Sequence, residues 1–190
     1  MTGAVGGVGH GVGAGPAIVK SIRWPDEAAT QSFAQALAAQ PALRNAFIEL
    51  HGGLGAGKTS FVRHLLRAMG VQGRIKSPTY AVVEPYEIAG LGDLGDLGDV
   101  DHVDDIMPPL AIWHFDFYRF NDPREWEDAG FRDIFASPGL KLAEWPENAA
   151  SHLPRADLVM RIEVMADESR QVLMTAQTRL GAALLAGTAQ

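Results

Sequence analysis

The residues with the clearest chemical potential form one run, Gly52-Gly53-Leu54-Gly55-Ala56-Gly57-Lys58-Thr59. The run fits G-x-x-x-x-G-K-[ST], a spacing that builds an anion cradle. Gly52 and Gly57 permit backbone angles that a Cβ would forbid. The N–H groups of Gly53, Leu54, Gly55 and Ala56 can then turn inward as a nest for phosphate oxygens. Lys58 supplies a mobile cation for the β- and γ-phosphates, and the Thr59 hydroxyl is a ligand for Mg²⁺. A helix that starts here points its positive end at the same phosphates. The chemistry this spacing serves is the binding of a nucleoside triphosphate with Mg²⁺. The motif alone does not say what the triphosphate is used for.

Two apolar runs end in an acid: Ala111-Ile112-Trp113-His114-Phe115-Asp116 and Leu140-Lys141-Leu142-Ala143-Glu144. A hydrophobic strand that delivers a carboxylate beside a phosphate loop is the second half of such a site. With that loop in the same chain, at least one of Asp116 and Glu144 is expected to be functional. His114, with an aromatic residue on each side, reads as a packed side chain rather than a base. The segment Lys76-Ser77-Pro78-Thr79-Tyr80 follows the loop's helix and is rich in hydroxyls. It can be a switch that senses the γ-phosphate and Mg²⁺, or a plain turn with capping hydroxyls.

These residues need elements to hold them. Ala46–His51 reads as a strand leading into the loop. Behind it, Phe61, Val62, Leu65, Leu66 and Met69 recur at helical spacing, and Gly70 stands where a C-cap glycine belongs. Strand, glycine loop and helix is the order required. Earlier, Ile18–Ile22 reads as a strand. Pro25 and Asp26 open a helix to about Ala39, with Asp26 as N-cap and Phe33, Ala36 and Leu37 on its buried side; Pro41 ends it. Tyr80–Tyr86 reads as a strand. Asp122 and Pro123 open a short helix that Gly130 closes. Asp157–Val164 and Gln171–Ala176 read as closing strands, an antiparallel hairpin through Asp167-Glu168-Ser169. The expected architecture is a single α/β P-loop NTPase-like domain over residues 16–178, with a mixed, mostly parallel central sheet flanked by helices. Residues 179–190 are expected as a C-terminal tail that begins as a short helix and frays.

Two segments invite a second site and are better explained otherwise. Residues 1–15 alternate Gly with Val and Ala, but follow no strand and carry no G-x-G-x-x-G spacing. They read as a flexible tail, with His10 solvated. Residues 88–110 hold the repeat Gly92-Asp93-Leu94, Gly95-Asp96-Leu97, Gly98-Asp99-Val100. These aspartates lack the spaced ligands and closing Glu of an EF-hand loop, so a mobile, solvated acidic insertion is expected.

Composition narrows the function. At 190 residues the chain suits one domain, and 47% apolar residues can build a core. A net charge of −7, from 23 acids against 16 bases, makes an autonomous nucleic-acid binder implausible. Any RNA connection should therefore run through a partner. There are no cysteines, hence no disulfide framework and no thiolate metal site. No apolar run is long enough to span a bilayer, and the N-terminus has no signal-peptide pattern, its first base being Lys20. A cytoplasmic protein without membrane association is the expectation. The absence of N-K-x-D argues against a GTPase. The second reading, a P-loop small-molecule kinase, is weakened by the lack of an arginine-rich lid.

Several separated segments together resemble one family. They are Gly55-Ala56-Gly57-Lys58-Thr59, Lys76-Ser77-Pro78-Thr79-Tyr80 with Val83-Glu84-Pro85-Tyr86, His114-Phe115-Asp116-Phe117-Tyr118-Arg119, and Glu144-Trp145-Pro146. The combination resembles the bacterial TsaE family of P-loop ATPases, from about Trp24 to Arg170. The resemblance implies an ATP- and Mg²⁺-dependent ATPase, slow without its partners. It would be required for the threonylcarbamoyl group on adenosine 37 of tRNAs reading codons that begin with A. It implies TsaD and TsaB as partners, with tRNA reached only through that complex. It further implies that Lys58 binds the phosphates and that Thr59 and Glu144 hold Mg²⁺. Asp116 would serve hydrolysis, Thr79 would lie in the switch-like loop and Trp145 beside the nucleotide. Thr30 and Arg170 match positions near the nucleotide. The chain departs from the family at Gly53, where Asp is usual, and in the longer insertion and the glycine tail. Gly53 lies outside the fixed loop positions, so nucleotide binding is expected to survive.

Overall fold

The computed structural model of the chain describes residues 18–89 and 109–188. The glycine-rich segment 1–15 and all but the ends of the 88–110 insertion lie outside the described residues. Seven strands form one sheet: β1 (Ile18–Trp24), β2 (Phe47–His51), β3 (Val83–Ile88), β4 (Leu110–Asp116), β5 (Leu140–Glu144), β6 (Leu158–Val164) and β7 (Arg170–Ala176). The helices are α1 (Glu27–Ala38), α2 (Lys58–Ala68), α3 (Pro123–Asp128), α4 (Phe131–Ala136) and α5 (Arg179–Gly187).

The sheet order is β1-β7-β6-β2-β5-β4-β3. β2 pairs in parallel with β5 and β6, and β4 with β5. The pairs β1–β7, β6–β7 and β3–β4 are antiparallel. β1, β2, β4, β5 and β6 therefore share one direction while β3 and β7 oppose it, the mixed, mostly parallel sheet expected. β5 lies between two parallel neighbours and is buried along its whole length, as a central parallel strand should be. The register places Asp116 directly beside Glu144, so the two acids end adjacent strands at one edge of the sheet.

Alternation along the strands feeds two cores. Ile48 and Leu50 of β2, with Ile112 of β4, pack on the side of α1, α2 and α5. Phe47 and Phe115 point the other way, into an aromatic cluster with Phe117, Trp126 and Phe131. His114 and Asp116 keep step with Ile112 and so belong on the α2 side.

The helices follow their sequence signals with some differences. Asp26 caps α1, its carboxylate accepting from the Ala29 N–H at 2.8 Å. The buried stripe of α1 is Thr30, Ala34 and Leu37, with Phe33 half-buried; Ala36, expected inside, is exposed. Phe61, Val62, Leu65 and Leu66 of α2 are fully buried. β3 begins at Val83 rather than Tyr80, because Val82 takes a left-handed φ of 64° and its N–H closes a turn on the Pro78 carbonyl at 2.6 Å. Residues 179–187, expected as the short helix that opens a C-terminal tail, form a helix that packs on the fold with Leu184 and Leu185 buried. Gly181 makes this docking possible, since a Cβ there would lie 1.9 Å from the Asp157 carbonyl oxygen. β6 and β7 form the expected hairpin, with Asp167 accepting from the Ser169 hydroxyl at 2.6 Å.

Candidate functional site

The glycine loop leaves β2 and enters α2 across the carboxyl ends of the parallel strands, where ligands bind in open α/β sheets. Gly52 has φ 141°, and a Cβ on it would stand 2.4 Å from the Ile162 carbonyl oxygen of β6. Only glycine lets the chain turn there against its neighbour strand. Gly57, with φ 104°, is the N-cap of α2 and keeps the helix's first N–H groups open to a ligand. Gly53 is different: its Cβ would meet nothing within 4 Å. Leu54 and Gly55 complete the exposed crest of the loop.

Lys58 is buried at 4% exposure. Its ammonium donates to the carbonyls of Gly52 at 2.6 Å and Gly53 at 2.9 Å, and lies 3.9 Å from the centre of the Trp145 ring. Burial pushes its pKa down, against the opposing pull of Glu144, Glu147 and Asp116. The lysine is thus parked on the loop's own carbonyls. Trp145 holds a left-handed φ of 56° and packs beside Tyr118, ring centres 5.0 Å apart.

The two acids sit side by side with distinct partners. The Thr59 hydroxyl donates to Glu144 Oε2 at 2.8 Å, and Glu144 Oε1 lies 2.9 Å from His114 Nε2. Asp116 Oδ2 accepts from the hydroxyls of Thr79 at 2.5 Å and Ser77 at 3.0 Å, and Oδ1 from the Tyr118 N–H at 3.1 Å. Both acids are almost fully buried. Thr59 and Glu144 together offer hard oxygen donors, the kind that hold Mg²⁺.

Two cavities flank the loop. One, of about 290 Å³, is lined by Lys58, Thr59, Thr79, Asp116, Glu144 and Trp145 among others. The second, of about 180 Å³, lies across Ala56 and Gly57 and is lined by Trp24, Asp26, Thr30, Ser60 and Arg170. Arg170 Nε donates to the Ala56 carbonyl at 3.2 Å, so its guanidinium lies along the loop. The predicted residues thus divide, with Thr30 and Arg170 lining one cavity and Lys58, Thr59, Thr79, Asp116, Glu144 and Trp145 lining the other.

The model of the family described as "Threonylcarbamoyl adenosine biosynthesis protein TsaE" matches residues 24–172. The chain belongs to the TsaE family. The match takes in every residue named above for the site. The tRNA threonylcarbamoyladenosine biosynthesis protein TsaE of Haemophilus influenzae is 40% identical over 134 residues, covering 70% of this chain and 72% of its own length. The Bacillus subtilis protein of that name is 28% identical over 162 residues, covering 83% and 87%. The crystal structure of Bacillus subtilis YdiB is similar with a TM-score of 0.61 and 23% identity, covering 90% of this chain and 95% of that one, a likeness of fold. Among the described residues no helix is long and apolar enough to cross a membrane.

Sequence reasoning left several site residues of this TsaE-family chain without a role. Ser77 shares Asp116 with Thr79, and Tyr118 anchors the same carboxylate through its N–H. Glu147 faces His51, 3.4 Å from Nδ1, and adds its charge near Lys58. His114 is packed, as expected, but its ring also reaches Glu144. The signal was its position two residues before Asp116 on one strand, hence on the same face.

Proposed function

We propose that the chain is a Mg²⁺-dependent ATPase of the cytoplasm. It would act with TsaD and TsaB to install the threonylcarbamoyl group on adenosine 37 of tRNAs reading codons that begin with A. One observation carries this reading beyond family membership. Lys58, Thr59, Asp116 and Glu144 converge on a single cavity at the mouth of the phosphate loop.

Each group suits a distinct task. The loop N–H groups and the α2 N-terminus take the phosphates. Lys58 exchanges two backbone carbonyls for phosphate oxygens, moving a buried cation from neutral to anionic partners. Thr59 and Glu144 would hold Mg²⁺, which would supply positive charge to offset that of the phosphates. Two protein oxygens are few for this ion, which ordinarily fills its shell with water and substrate phosphates. Asp116 can orient the attacking water once Ser77 and Thr79 release it. Thr30 and Arg170 line the second cavity, across the loop, where the nucleoside end of ATP fits. The site is open to solvent in the isolated chain, so turnover should be slow until partners cover it.

The test has two parts. Depleting the protein should lower threonylcarbamoyladenosine in tRNA, and the parent gene but not Lys58→Ala should restore it. Phosphate release from ATP, with no acceptor present, should rise when purified TsaD and TsaB are added. Unchanged modification after depletion, or no hydrolysis with both partners present, overturns the reading.

A further inference from the structure

We propose that His114 is the positioning residue for Glu144, holding that carboxylate in the orientation in which it meets Mg²⁺. The inference rests on the assignment of Thr59 and Glu144 to the metal. His114 has no exposed surface, and Nε2 lies 2.9 Å from Glu144 Oε1. The other carboxylate oxygen accepts from Thr59 at 2.8 Å. Glu144 is therefore gripped at both oxygens, once from α2 and once from β4. A carboxylate on a strand end retains rotation about its terminal bond. Two donors on opposite oxygens remove it before any metal arrives.

The second ring nitrogen strengthens the argument. Nδ1 is buried and has no hydrogen-bond partner among the described residues. With Nε2–H donating to the carboxylate, Nδ1 is left unpaired, and an unpaired buried polar atom costs stability. A leucine between Trp113 and Phe115 would fill this part of the core without that cost. What the imidazole adds is the single donor aimed at Glu144. Partners that hold a metal ligand from behind fix its orientation, and losing one weakens metal affinity or activity by about 10- to 100-fold.

The experiment measures ADP binding by calorimetry across a Mg²⁺ titration, for the parent, His114→Leu and His114→Gln. The parent must first show Mg²⁺-enhanced binding; if it does not, the metal assignment itself fails. Given that enhancement, His114→Leu should need about tenfold more Mg²⁺ for half its effect. Its ADP affinity without Mg²⁺ should stay within about twofold of the parent's, a split that a general packing defect would not produce. His114→Gln places an amide N–H near the Nε2 position and should recover most of the loss. An unchanged Mg²⁺ requirement in His114→Leu, an equal loss with and without Mg²⁺, or no recovery in His114→Gln overturns the proposal. A further measurement needs no variant: the ¹⁵N imidazole spectrum of the metal-free parent should show His114 carrying its hydrogen on Nε2. A hydrogen on Nδ1 alone overturns the proposal even if His114→Leu fails to fold.

Discussion

Gly52 and Gly53 are adjacent, chemically identical and predicted to respond in opposite ways. At Gly52, replacement by Ala meets two costs. The φ of 141° is one that L side chains rarely adopt, a strain of about 1–3 kcal/mol. The new Cβ also stands 2.4 Å from the Ile162 carbonyl oxygen. That atom is backbone in a paired strand, so no rotamer change relieves the contact, and overpacking of this kind costs about 1–3 kcal/mol. The sum is about 2–6 kcal/mol. For a domain of this size each kcal/mol moves Tm by about 2–4 °C, so Gly52→Ala should melt roughly 4–24 °C lower. At Gly53 a Cβ meets nothing within 4 Å, and surface changes of that sort stay within about 0.5 kcal/mol. Gly53→Asp should therefore keep its Tm within about 2 °C and still bind ATP. Thermal unfolding by circular dichroism and an ATP titration on both variants decide the matter. A Gly52→Ala protein that melts with the parent would refute the packing argument. A Gly53→Asp protein that unfolds or loses ATP would refute the view that this position is free.

Lys58→Ala should weaken ATP binding by about 100-fold, the worth of one strong charge-assisted contact, without lowering Tm, because the lysine's burial is itself unfavourable; unchanged affinity in a titration would count against the loop assignment. Asp116→Ala should bind ATP within a few-fold of the parent and fail to turn it over with partners present, whereas Glu144→Ala should raise the Mg²⁺ requirement; the reverse pattern in a Mg²⁺ titration would exchange their roles. Replacing residues 90–107 by a few glycines and serines should leave ATPase activity nearly unchanged, since Ile88 and Leu110 already face each other as the last pair of the β3–β4 hairpin and short loops close such pairs; a collapse of Tm would show that the segment is structural. Lys141 gives a pH test. Burial holds its pKa below the ordinary 10.5, so the fold penalises the charged form, fully at pH below the depressed value and less as pH rises through it toward the unfolded value. The stability difference between Lys141→Met and the parent should move in the parent's favour from about pH 7 to about pH 10; a constant difference in denaturant titrations would dismiss the burial argument.

Much of the site was legible because it is local. The loop spacing, the strand before it and the apolar stripe after it are each contained in a short window. The two acids were legible because an apolar run that ends in a carboxylate is conspicuous in composition. What escaped depends partly on a local turn or a short element and partly on distant chain. Tyr80 to Val82 has strand-like residue types, yet Pro78 starts a turn there, and Tyr80 ends 84% exposed beneath the Arg119 guanidinium. The 179–187 segment was legible as a short helix but not as a docked one, because its sequence is mostly small residues. Its docking depends on the bare Gly181 backbone against Asp157, a contact across the fold. Helix α4 went unread because its six residues are too few to show a period. The link from His114 to Glu144 spans 30 residues of sequence and exists only once β4 and β5 are in register.

That register has a consequence of its own. Strands alternate faces with each residue, so a slip of β4 past β5 by a single position turns Asp116 to the aromatic side and brings Phe115 round toward Lys58. Such a molecule could stay compact, helical and soluble, and by most bulk measures pass for folded. It would nevertheless have no acid to orient water and no imidazole behind Glu144. The paired ends of β4 and β5 thus act as a checksum on folding: under the proposed ATPase function, turnover per molecule would count the fraction of chains whose central strands are aligned.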